Sequence, residues 1–167
     1  HMTAMVLRAL AEAKDYAKSH RKYNSMVQLG GRFLNKSLSY GTNDLETKAL
    51  VVYALALCNY KDTKELAEKI LSKVDTDTSE KKISHAKALL ALAMYKLGQF
   101  GPATKLIDEL EKEAQEKGSG MYWGGSGSGK WQNDDIETTA EVLHALLLIR
   151  PSSKLIKPAI AYLLENR

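Results

Sequence analysis

The chain has 167 residues, with 24 Lys and Arg against 20 Asp and Glu, a formal net charge of +4. Apolar residues make up 44% and charged residues 26%, the balance of an ordinary globular domain. That excludes a disordered tail, a collagen-like chain and a disulfide-stapled miniprotein, and the interleaving of Lys with Asp and Glu argues against nucleic acid as a partner. His1-Met2 reads as a vector scar, leaving 3-167 as one expected helical domain cut from a larger protein. No apolar run approaches the roughly 18 to 20 residues of a membrane span.

Helical periodicity predicts eight helices in four pairs: 3-18 with 22-38, 44-59 with 63-74, 80-97 with 102-117, and 134-149 with 152-166. No segment alternates as a strand. Asn43 with Glu46, Asp62 with Glu65, and Asp134 with Glu137 have capping-box spacing. Pro102 and Pro151 suit the first turn of a helix, where a missing N–H costs nothing. Gly98 and Gly118 are expected helix stops, and Gly30-Gly31 predicts a kink or break in the second helix.

The pairs repeat one another. Leu45-Glu46-Thr47-Lys48-Ala49 aligns with Ile136-Glu137-Thr138-Thr139-Ala140, and Thr47-Lys48-Ala49-Leu50 aligns with Ala86-Lys87-Ala88-Leu89. Within a pair the first helix is apolar nearly all round, as in Ala49 to Cys58, Ala88 to Met94 and Val142 to Ile149. The second carries one stripe, such as Leu66, Ala67, Ile70, Leu71 and Val74. A helix apolar on all sides must be covered on all sides, and a striped helix covers a neighbour and faces water. The expected fold is therefore all-α, with an inner layer wrapped by an outer one. Closed, it is an α/α toroid, here a partial one of about four hairpins; open, it is a curved solenoid.

A long Gly-rich segment, 118-133, interrupts the third and fourth pairs. Gly124 to Lys130 is not a phosphate loop, because no strand is predicted before it and Trp131 follows the lysine. A plain linker would hold only Gly and Ser. Tyr122, Trp123 and Trp131 are expected to pin this loop to the helical body; the alternative is an aromatic-rimmed binding loop built from the same three residues.

Chemistry is sparse. Cys58 stands alone on an apolar helix, where a buried small hydrophobe is expected. His85 and His144 read as core or groove histidines, and Asp134-Asp135 as helix-start carboxylates facing the dipole. No metal-ligand spacing and no nucleophile elbow occurs, so no catalytic residue, cofactor or metal is expected.

Met121-Tyr122-Trp123, a polar loop, and then Asp135 to Leu147 with its Glu137-Thr138-Thr139-Ala140 core resemble the thioester-containing domain of the alpha-2-macroglobulin and complement superfamily. So does the amphipathic run from Leu155 to Arg167, and Thr47 to Val74 resembles a preceding hairpin of that domain. The resemblance covers residues 43 to 167, is most specific around 121-146 and is weak before residue 43. It implies an α/α toroid of about six hairpins in a secreted or periplasmic protein that traps proteases or tags surfaces. It also implies a non-catalytic domain whose partners are neighbouring domains of its parent and target proteases. The thioester of that family needs a Cys-Gly-Glu-Gln type motif, and Cys58-Asn59-Tyr60-Lys61 has no glutamine at the required place. The chain is thus either a fragment of such a domain or part of a thioester-lacking member. Two other classes share paired helices. One is a terpenoid cyclase or prenyltransferase type of toroid enzyme, whose Gly-x-Trp turns Gly129-Lys130-Trp131 resembles. The other is a helical-repeat interaction module.

Overall fold

The computed structural model describes residues 2–13, 20–39, 44–76, 83–124 and 134–166. Within them run eight helices: α1 (Met2–Glu12), α2 (His20–Ser39), α3 (Leu45–Leu57), α4 (Thr63–Thr76), α5 (Ser84–Lys96), α6 (Phe100–Glu113), α7 (Asp134–Ile149) and α8 (Ile156–Glu165). A short antiparallel ribbon, β1 (Gln115–Lys117) and β2 (Gly120–Tyr122), follows α6.

The odd-numbered helices form one row. α3 packs between α1 and α5, and α5 between α3 and α7. Each even-numbered helix lies outside its partner, α2 on α1, α4 on α3, α6 on α5 and α8 on α7. The physical cause is burial. Eight of the thirteen residues of α3, Ala49 to Ala56 without a gap, are buried, and α5 is buried continuously from Ala88 to Met94. Each Leu or Val taken from water in this row contributes about 1.5 to 3 kcal/mol. The outer helices bury one stripe each, Ala67, Ile70 and Val74 in α4 and Ala103, Leu106, Ile107 and Leu110 in α6. This is the inner and outer layering of a toroid-like, all-α domain.

The offset that aligns Thr47 with Ala86, 86 − 47 = 39 residues, also aligns the helix ends at Asn59 and Gly98. After α3, Asn59 takes φ +51°, and its N–H and that of Tyr60 donate to Ala56 O (3.1 Å) and Leu55 O (3.0 Å). After α5, Gly98 takes φ +73°, with Gly98 N–H to Tyr95 O (3.0 Å) and Gln99 N–H to Met94 O (2.8 Å). Both are Schellman motifs, which satisfy the carbonyls that a helix end leaves over.

Several expectations are corrected. The cap of α3 is Asp44, not Asn43, which lies outside the described residues; Asp44 accepts from the N–H of Glu46 and Thr47. Burial opposes the charge of Asp44, but these donors outweigh it and hold its carboxyl below the usual range. Asp62 adopts φ +63° instead of an extended cap conformation, and Asp134 is the first residue of α7 rather than a residue before it. α1 is described from Met2 to Glu12, and the rest of the expected first helix, 14–18, lies outside the described residues.

α2 runs unbroken through Gly30-Gly31. A Cβ on Gly31 would lie 2.5 Å from the Tyr60 ring, and one on Gly30 would lie 3.0 Å from Leu7, so the pair serves close approach instead of a kink. Pro151 sits in the turn before α8, which starts only at Ile156. Gly118 does not stop α6. The helix ends at Glu113 because Ala114 turns extended (ψ 134°), and Gly118, with φ +62°, is the first residue of the two-residue turn of the ribbon. A strand therefore does precede the glycine cluster, although it is only three residues long.

Candidate functional site

The aromatic loop is the first place to look. Trp123 is fully buried. Its backbone N–H donates to Thr139 Oγ1 (3.0 Å), and the Thr139 hydroxyl donates to Trp123 O (3.3 Å). Its indole N–H donates to Leu110 O (2.6 Å), one of the carbonyls that the end of α6 leaves without an intrahelical partner. Trp123 thus ties α6 to the Glu137-Thr138-Thr139-Ala140 stretch of α7, and its ring presents no surface to a ligand. Tyr122 is half-buried and stacks on Tyr162 of α8, with ring centroids 5.0 Å apart and planes at 18°, while its hydroxyl donates to Gln115 Oε1 (3.3 Å). Trp131 lies outside the described residues. The structure brings Tyr122 and Trp123 to one place, but to the hub of a three-helix joint.

The inner row holds a polar centre that sequence reading passed over. Arg8 on α1 forms a two-pronged ion pair with Glu141 on α7, at 2.8 and 3.0 Å, 133 residues apart in the chain. The row therefore curves far enough for long side chains of its first and last helices to meet. Arg8 also reaches Glu12 (3.2 Å) and lies 5.1 Å from the centre of the Tyr53 ring on α3. Glu141 has a second partner in His144 Nδ1 at 3.3 Å. Burial works against both charges of the pair, and mutual attraction overcomes it: Arg8 is held above its usual range, and Glu141, bonded to His144 and Arg8, below its own. Burial also pushes the Tyr53 hydroxyl up to about 12.

Beside this pair opens a cleft of about 230 Å³. Met5 and Leu50 form its apolar wall, with Glu12, Glu137, Glu141 and His85 around it. His85 comes within 4.0 Å of Glu46 on α3. The cleft has one cation, Arg8, already committed to two carboxylates. It can hold and orient, but it contains no activated nucleophile. Cys58 is half-buried at the end of α3, with Sγ 3.9 Å from Leu7 O, and burial pushes its thiol up, away from the reactive thiolate. No group of three or more His, Cys, Asp and Glu able to hold a metal occurs among the described residues.

A family model described as the A-macroglobulin TED domain matches residues 1–82. Over those residues the chain is similar to that family. No curated protein matches it. The match covers α1 to α4 and includes the stretch before residue 43, where sequence reading found the resemblance weak. The Tyr-Trp loop and the Glu-Thr-Thr-Ala helix that first suggested the family lie beyond the matched residues. No thioester motif follows Cys58, and Asn59 and Tyr60 are occupied in closing the end of α3. No helix among the described residues is long and apolar enough to cross a membrane.

No sequence signal marked Arg8 and Glu141 as partners. The available hint was that Arg8 and Glu141 each interrupt an apolar stretch of an inner helix.

Proposed function

We propose that this chain is a TED-like, non-catalytic helical module of an alpha-2-macroglobulin-like protein with a protease-inhibiting or host-defence role. It docks on neighbouring domains of its parent and moves when a target protease cuts a bait segment. The setting implied is extracellular or periplasmic. The single observation carrying this reading is the family match over α1 to α4. The half-buried Cys58, whose thiol burial pushes up, and the absence of a glutamine after it support a role of this stretch without covalent attachment.

The test uses the parent chain incubated with trypsin. Trapping leaves trypsin active on a small chromogenic peptide and blocks it on a large protein substrate, and treatment with methylamine changes neither result. Full retention of activity on the large substrate contradicts the inhibitor role. A thiol released by methylamine contradicts the thioester-free role.

A further inference from the structure

The outer helices are not alike. α4 shows water Lys64, Glu65, Glu68, Lys69, Ser72 and Lys73, and α6 beyond Phe100 shows Thr104, Lys105, Asp108 and Lys112. Both mix the two signs of charge and hide their large apolar residues. α2 has twenty residues with Arg21, Lys22, Arg32 and Lys36 and no Asp or Glu. It also leaves Met26 (51%), Leu29 (63%) and Phe33 (60%) exposed.

At 100° per residue these seven side chains fall within about 140° of the helix circumference, opposite the buried Tyr23, Val27 and Leu34. One arc of α2 is therefore both cationic and apolar, while its other arc is already packed. Because α2 belongs to the outer layer, this arc is a ridge rather than a groove. A short partner peptide is held best in a groove that covers both flanks of its apolar face, and this arc offers none. A ridge of cations with Met, Leu and Phe between them matches a flat, yielding surface that carries negative charge outside and hydrocarbon beneath.

We propose that the outward face of α2 docks on an anionic lipid surface. Arg21 and Arg32, supported by Lys22 and Lys36, meet the lipid phosphates, and Met26, Leu29 and Phe33 enter the boundary between headgroups and acyl chains. This does not depend on the protease-inhibition reading, since it uses only the charge and exposure of one helix.

The test is flotation of the 167-residue chain with phosphatidylcholine vesicles containing phosphatidylglycerol, compared with phosphatidylcholine alone. Binding is expected to the anionic vesicles, weakening several-fold as salt is raised through the screening range. The double variants L29E/F33E and R21E/R32E each lose about tenfold or more in affinity. They keep the parent far-UV circular dichroism and melting temperature, because all four positions are exposed. The variant L147E/L148E, at exposed leucines of α7, binds as the parent does. Equal binding to neutral vesicles, no binding to anionic ones, or unchanged binding by both α2 variants overturns the proposal. So does capture of polyglutamate in place of vesicles, which identifies an acidic protein surface as the partner. A dimer that L29E/F33E converts to monomer without any vesicle binding assigns the face to self-association and equally overturns it.

Discussion

Two joints hold distant parts of this domain together, and they are built from opposite materials. At Trp123 a large apolar ring is buried, and each polar atom it brings is matched by a neutral partner, Thr139 Oγ1 or Leu110 O. At Arg8 two full charges meet, with Arg8 at 25% and Glu141 at 11% side-chain exposure. The first joint gains from desolvation. The second loses to desolvation and recovers the loss only through geometry and extra bonds to Glu12, His144 and the Tyr53 ring. Stability is therefore expected to come mainly from the Trp123 joint, and the Arg8 joint to specify which helices face each other.

The contrast can be broken most severely at the tryptophan. Trp123→Ala removes the ring and strands Leu110 O, and it should cost about 3 to 5 kcal/mol in urea unfolding. A loss below 1 kcal/mol contradicts its place as a hub.

The ion pair should give a smaller and less additive effect. Glu141→Gln leaves Arg8 with Glu12 alone and should cost about 1 to 3 kcal/mol. Replacing both partners, Arg8→Met with Glu141→Met, should restore part of that loss, because the desolvation of two charges disappears with them. A double-mutant cycle with no coupling denies the joint.

The gentlest test is acid. Glu141 is held below its ordinary value of 4.5 in the folded state, so folding favours its ionised form. The stability it adds is complete at pH above 4.5 and is lost as pH falls through the lower folded value. The stability gap between the parent and Glu141→Gln should therefore be constant at neutral pH and shrink on acidification. The gap between the parent and Trp123→Ala should shrink much less. A Glu141 gap that persists into acid assigns its effect to packing instead of charge.

Much of the architecture was legible in the sequence. Apolar periodicity located eight helices, and the all-round patterns of α3 and α5 against the striped α4 and α6 assigned inner and outer layers. α7 departs from that expectation, because Leu147 and Leu148 of its all-round apolar stretch stay about half exposed. The ribbon at Gln115–Tyr122 was missed because three-residue strands carry too little alternation to register. Gly30-Gly31 misled because the same residue that permits a break also permits close approach, and only the neighbours Leu7 and Tyr60 distinguish the two. The overall interleaving of charges hid the one outer helix among the described residues, α2, that has no acid.

The sequence by itself determined the local order: which segments coil and which coils carry apolar residues on every side. These depend on residues within a turn or two of each other. Only the tertiary structure decided that Arg8 meets Glu141, that Trp123 reaches Leu110 and Thr139, and that Met26, Leu29 and Phe33 stay outside while Tyr23, Val27 and Leu34 go in. An arginine or a phenylalanine has the same chemistry wherever it stands; what it contributes is set by the partner or the water that folding puts beside it.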